Sequence, residues 1–147
     1  MTDLWAVAML VSGGLFAGGV TLIAWERPPA WREADIPEFR AMFAYTLRRV
    51  DRVQPALAVL GLISTVGYSL SAAGHARVLA ATAAIGFLSV LVGSGAWLVP
   101  IQRRLMTGQS DRSADVLRFR ATWIRGHLIR TLIALAAFTL AVVAATT

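Results

Sequence analysis

The sequence contains no cysteine and no lysine, only two histidines, and eight acidic residues in 147. Without cysteine the chain has no disulfide framework, no thiolate metal site and no thiol nucleophile. Charged side chains make up 15% of the residues, against about 25% in an average soluble domain. Hydrophobic residues make up 57%. This balance excludes an ordinary water-soluble protein and directs attention to where the few charges lie.

Long stretches of the chain carry no charged side chain. Three of them, Leu4–Trp25, Val53–Ala76 and Val78–Gln102, each exceed the 20 or so residues that a helix needs to cross a bilayer core of about 30 Å. A fourth, Thr131–Thr147, becomes long enough when its start moves back past Arg130, whose side chain can snorkel to the interface. Because lipid cannot satisfy exposed backbone groups, these spans must be helices.

We therefore predict an all-α polytopic membrane protein. Its fold is a four-transmembrane-helix bundle, with an amphipathic cytoplasmic helix between spans one and two. A single membrane domain covers residues 1–147, with spans at about 4–25, 54–74, 78–101 and 122–145.

The distribution of arginine predicts the orientation of these spans. All 14 basic residues are arginine; residues 26–52 carry six and residues 103–125 carry six more. The N-terminal tail has none, and the short link between spans two and three has only Arg77. By the positive-inside rule both long connections are cytoplasmic and both termini extracytoplasmic. We expect a multi-pass protein of a bacterial inner (plasma) membrane, with the lipid bilayer and not nucleic acid as the partner of its basic residues.

The connection between spans one and two has its own helical pattern. Asp35 is a predicted N-cap, with Pro37 in the first turn and Glu38 three residues after the cap. Apolar residues then recur at spacings of three and four, with arginines on the remaining surface. The pattern predicts an amphipathic helix that either lies on the inner leaflet or extends span two, with a kink near Pro55.

Candidates for chemistry are few. The predicted topology places His75 and His127 on opposite sides of the membrane, so they cannot share a metal or a haem within one bundle. A metal held between subunits stays open. No span carries an acidic residue in its interior and no Glu-x-x-His di-metal motif is present, which disfavours proton pumps and di-iron sites. We expect no metal and no resident cofactor.

One face of span four combines several functional groups. Trp123, His127, Arg130 and Thr131 recur at spacings that place them on one side of a helix. Antiparallel packing would bring residues from the ends of two other spans close to this face, namely Gln102, Arg103 and Glu26. Polar residues at such a depth favour a functional site. The alternative is that Trp123 and Arg130 anchor the helix at the interface while His127 bonds a neighbouring helix.

Three segments together resemble a known family. They are the glycine-rich Ser12–Gly19, the Pro-x-Gln-x-x-Leu segment Pro100–Leu105, and the Trp-x-x-x-His-x-x-Arg-Thr segment Trp123–Thr131. This order of elements resembles the small four-helix membrane proteins of the domain-of-unknown-function 1772 family, also called the anthrone oxygenase-like family. That family usually has Asn where this chain has Gln102.

The resemblance implies O2-dependent oxidation of a hydrophobic polycyclic phenol or anthrone-type substrate, without a cofactor and with O2 as co-substrate. His127 would be the base, because imidazole titrates near neutral pH, and Arg130 would stabilise the developing oxyanion. The residues expected to bind substrate are Trp123, which would stack on the rings, Gln102, Arg103 and Glu26.

Two other classes of function remain open from the sequence. One is a non-catalytic accessory or assembly protein whose basic surface docks anionic lipid or an acidic partner. The other is a small-molecule transport or binding protein, which would need a homo-oligomer because four helices with few polar interior residues form no wet pathway.

Overall fold

A computed structural model describes residues 2–50, 52–107 and 112–147 of the chain. These residues form six α-helices and one π-helical turn. The helices are α1 (Thr2–Glu33), α2 (Ile36–Val50), α3 (Gln54–Ser71), α4 (Gly74–Gly93), α5 (Val99–Thr107) and α6 (Ser113–Thr146), and the π turn (Ser94–Leu98) joins α4 to α5.

The helices form a membrane bundle, as the sequence predicts. Three helical segments are each long and apolar enough to cross a membrane: α1, the continuous segment from α4 to α5, and α6. The pair α2 and α3, bent by 41° at the break between them, completes a fourth. In the bundle α1 packs on α3, α3 on α4, α4 on α6, and α6 on α1. Therefore α3 and α6 stand diagonally opposite each other.

Helix α1 continues eight residues beyond the predicted end of span one, through Pro28 and Pro29 to Glu33. The two prolines cannot donate backbone hydrogen bonds to the preceding turn. The guanidinium of Arg120 on α6 closes the end of the helix, since its Nη1 donates to the carbonyls of Trp31 at 2.7 Å and Ala34 at 3.0 Å. The extension carries Trp31 into the protein core, where it is fully buried.

Helix α2 has the predicted cap and the predicted amphipathic character. The backbone N–H of Glu38 donates to Asp35 Oδ1 at 2.9 Å, which satisfies one of the unpaired donors at the helix start. Phe39, Phe43 and Leu47 are buried on one face, whereas the arginines near its C-terminal end are exposed. The bend before α3 falls next to Pro55, near the predicted kink.

The π turn interrupts the predicted third span just before Pro100. This proline has no N–H for the carbonyl of Ala96, and its ring would press on that carbonyl in a regular helix. A wider turn relieves the conflict, and such turns often occur at functional sites. Ser94, which is half-buried, and Gly95, which is exposed, both lie in this turn and line a cavity.

Candidate functional site

A cavity of about 210 Å³ lies where the spans meet α2 and the π turn. It is partly open to the outside. An engineered cavity of about 150 Å³ in another protein holds benzene, so this one has room for more than one aromatic ring. Its apolar wall includes Phe16, Ile23, Leu47, Ala58, Val90 and Leu91. Its polar and aromatic groups are Gln54, Ser94, Gln102, Trp123, His127 and Arg130.

The imidazole of His127 is held between two helices. Its Nε2 lies 3.2 Å from the carbonyl oxygen of Val20 on α1, and its Nδ1 lies 2.6 Å from Nη2 of Arg130. A carbonyl can only accept and a guanidinium can only donate. The ring is therefore the neutral tautomer that donates from Nε2 and accepts at Nδ1. The hydroxyl of Thr131 donates to the backbone carbonyl of His127 at 2.9 Å and lies 3.5 Å from the same carbonyl of Val20.

Trp123 holds the other side of the imidazole. The two rings are stacked with centroids 4.9 Å apart and an angle of 7° between their planes. Phe43 on α2 and Trp31 on α1 pack edge-on against Trp123, at 5.0 Å and 5.4 Å. Only 2% of Trp123 is exposed, which is at odds with the alternative that it anchors α6 in the membrane interface. The bond from His127 to a neighbouring helix, which the same alternative expects, is present at Val20. The aromatic residues instead fix the orientation of His127.

The structure brings four of the six predicted site residues to one cavity: His127, Arg130, Trp123 and Gln102. The other two lie outside the cavity lining. Glu26 is exposed and its carboxylate lies 3.6 Å from the guanidinium of Arg27, the next residue along the chain. Arg103 is exposed because it is one helical position, about 100°, further round α5 than Gln102.

Sequence reasoning missed two polar residues of the cavity, Gln54 and Ser94. Gln54 begins α3, and its amide lies against Gly19 of α1, where a Cβ would overlap it. Ser94 begins the π turn. Signals for both were present in the sequence. Gln54 is a lone amide at the start of an uncharged span, and Ser94 stands between two glycines, six residues before a proline.

The described ranges contain no group of three His, Asp or Glu side chains placed to hold a metal ion. His75 is exposed near the start of α4, and His127 is buried at the cavity. The imidazoles of His75 and His127 therefore do not line the same site within one chain.

The fold and the cavity together define a helical membrane protein with a small apolar site that carries an imidazole and a guanidinium. Residues 42–140, about two thirds of the chain, match the profile of the family described as anthrone oxygenase. The chain belongs to the anthrone oxygenase family. The match begins within α2, so it includes every polar cavity residue named above. A search of the curated proteins and of the solved structures gives no match.

Proposed function

We propose that the protein oxidises an anthrone-type substrate with O2 inside this cavity. The observation that carries the proposal is the neutral imidazole of His127, hydrogen-bonded to the guanidinium of Arg130 on the wall of an apolar cavity. An anthrone has a weakly acidic CH2 group opposite a ketone in the same ring. A base and a fixed cation are the two groups that its deprotonation needs.

In the first step Nδ1 of His127 takes one proton from the CH2 carbon. The electron pair of the broken C–H bond moves into the ring, and the ketone oxygen becomes an enolate oxygen. Before this transfer Arg130 turns from Nδ1 to the ketone oxygen, which frees the nitrogen lone pair to take the proton and places the guanidinium where the negative charge develops. The guanidinium keeps one favourable partner throughout, either the imidazole or the oxyanion.

In the second step the enolate carbon, which is electron-rich, reduces O2 and forms a C–O bond to it, giving a hydroperoxide after protonation. Loss of the remaining C–H proton and cleavage of the O–O bond convert this carbon to a ketone. One oxygen atom of O2 ends in the new carbonyl and the other in water. The two hydrogens of the CH2 group leave with that water, so the reaction balances as anthrone plus O2 to anthraquinone plus water.

The surroundings of the site suit a substrate that partitions into lipid. The cavity wall is mostly apolar and the cavity is partly open, so a flat hydrophobic molecule can exchange with the bilayer. We place the arginine-rich connections on the cytoplasmic side of a bacterial inner membrane and both termini on the other side. The cavity then lies toward the cytoplasmic leaflet, because α2 and α5 form part of its wall.

The test is O2 uptake by the detergent-purified protein with anthrone. His127→Ala should lower the rate by roughly 100-fold or more, which is the usual contribution of a positioned base. His75→Ala is the matched control and should leave the rate unchanged, because this histidine is exposed and outside the cavity. Added imidazole should restore part of the activity of His127→Ala, which separates loss of the base from misfolding.

Full activity in His127→Ala would disprove the assignment of the base. Labelling with ¹⁸O2 should place one labelled oxygen in each product molecule. Binding of anthrone without any O2 uptake would instead support the small-molecule binding or transport alternative. Absence of both, together with a protein that co-purifies, would favour the accessory role.

A further inference from the structure

A groove runs along the outside of the bundle between α1 and α6. It consists of three surface hollows of about 470, 150 and 300 Å³, ordered from the middle of the bundle toward the C-terminal end of α1. Trp25 lines the first two hollows, and Arg32 and Ile124 line the last two, so the three are continuous. Within the described part of the chain, the groove shares one lining residue, His127, with the cavity.

The hollow in the middle of the bundle is apolar. Two glycines of α1, Gly14 and Gly18, leave room in its wall, and a Cβ at Gly18 would meet nothing within 4 Å. Thr21, the one hydroxyl of this wall, already donates to the carbonyl of Ala17 at 2.7 Å. This part of the groove therefore suits a hydrocarbon chain. Its remaining lining residues are Leu22, Trp25, Leu135 and Phe138.

The other end of the groove is positively charged. Arg32 of α1 meets Arg120 and Arg125 of α6 around the last hollow. Among the residues that the structure describes, no acidic side chain lines any of the three hollows, and neither Arg32 nor Arg125 forms an ion pair. Like charges that converge in this way repel one another, so an anion bound among them is stabilised.

The length of the groove matches one leaflet of a bilayer. Gly18 and Arg32 lie about 21 Å apart along α1, at a rise of 1.5 Å per residue. Half of a bilayer with its headgroups measures about 20–22 Å. Trp25 lies between the two ends and is 85% exposed, as is typical of tryptophan at the membrane interface. A second copy of the chain fits this groove less well, because two copies in one orientation would bring their arginines together.

We propose that the groove between α1 and α6 binds one anionic phospholipid. Arg32 and Arg125 hold its phosphate, and an acyl chain lies beside Gly18 and Leu22. Arg120 adds positive charge while its guanidinium keeps the hydrogen bonds that close the end of α1. The bound lipid is separate from any substrate, so this proposal does not rest on the proposed function.

The test measures lipid preference in vesicles that contain the full chain and equal amounts of phosphatidylglycerol and phosphatidylcholine. One of the two lipids carries bromine on its acyl chains, and the quenching of fluorescence that Trp25→Phe abolishes reports the lipid in the groove. The wild type should prefer phosphatidylglycerol about tenfold. Arg32→Gln combined with Arg125→Gln should reduce that preference to about twofold, because two charges are lost from the site.

The chain offers a matched control for each end of the groove. Arg48→Gln with Arg49→Gln removes the same charge from the exposed end of α2 and should keep the wild-type preference. Gly18→Leu should lower the quenching by either lipid, since the leucine takes the space of the acyl chain. Gly93→Leu should leave the quenching unchanged, because Gly93 is also exposed with open space around its Cβ but lies outside the groove.

A wild type without a preference for phosphatidylglycerol would overturn the lipid site. Equal losses in the two double-arginine variants would also overturn it, because the attraction would then belong to the basic surface as a whole. A preference that inorganic phosphate abolishes, but chloride at the same ionic strength does not, would identify a site for free anions instead. A preference that falls as the protein-to-lipid ratio rises would place a second copy in the groove.

None of these measurements uses O2 or anthrone. A lipid preference in a protein that takes up no O2 would therefore leave the lipid site standing and remove the oxidation. Uptake of O2 without a lipid preference would do the reverse.

Discussion

Replacing Arg120 with alanine should destabilise the protein more than replacing any exposed arginine does. Its guanidinium donates to the carbonyls of Trp31 at 2.7 Å and Ala34 at 3.0 Å, with a longer contact of 3.4 Å to that of Arg32. It also lies 5.3 Å from the ring centroid of Phe39. Arg120 therefore joins the end of α1 to α2 and α6.

The expected magnitude follows from these contacts. Each of the two short hydrogen bonds contributes roughly 1 kcal/mol net at a partly exposed site. The contact with the ring of Phe39 adds about 0.5 kcal/mol. The free energy of unfolding should thus fall by about 2–3 kcal/mol, which corresponds to a drop of roughly 5–10 °C in melting temperature for a chain of this size.

The assay is thermal unfolding of the detergent-purified variants. Arg125→Ala, on the exposed side of the same helix, is the control and should shift the melting temperature by about 1 °C or less. Arg120→Lys should give an intermediate loss, because one ammonium group cannot reproduce the planar fork. Equal melting temperatures for Arg120→Ala and Arg125→Ala would refute the capping role. Arg120→Ala should also weaken anthrone binding several-fold, since Trp31 supports Trp123.

Two further outcomes concern packing. Gly19→Ala should displace the amide of Gln54 on the cavity wall and change the affinity for anthrone several-fold, whereas Gly18→Ala, with open space around its Cβ, should leave that affinity unchanged. Titration of tryptophan fluorescence with anthrone under argon compares the two variants, and equal affinities would contradict the close packing at Gly19. Tyr68→Phe removes a hydrogen bond of 2.8 Å to the carbonyl of Ala144 and should cost about 1 kcal/mol in thermal unfolding, without changing O2 uptake. A drop in uptake at unchanged stability would mean that Tyr68 acts on the site.

Much of the fold could be predicted because the relevant signals are local. The uncharged stretches mark the spans, and Asp35 with Glu38 marks the start of α2. The extension of α1 beyond Trp25 could not be predicted, since two prolines and a charged cluster normally end a helix. Arg120, almost 90 residues further along the chain, caps that extension.

The candidate site could be predicted only in part, for a similar reason. Helical spacing places Trp123, His127 and Arg130 on one face of α6 whatever the neighbouring helices do. It does not say which side of the bundle that face meets, so Glu26 was predicted to lie near His127 and Gln54 was missed. The rotation of α1 and α3 about their axes decided between them, and Gln54 lines the cavity while Glu26 does not.

Hydropathy and the spacing of charges alone establish that this chain is a helical membrane protein with an amphipathic helix after its first span. The membrane spans and the amphipathic helix both form because apolar side chains transfer from water to lipid. Each segment makes this transfer largely independently of the others. Tertiary packing alone decides that His127 contacts the carbonyl of Val20, more than 100 residues earlier, and that Trp123 is buried rather than interfacial. Those contacts depend on how the helices are rotated against one another, and side-chain packing in the bundle sets that rotation.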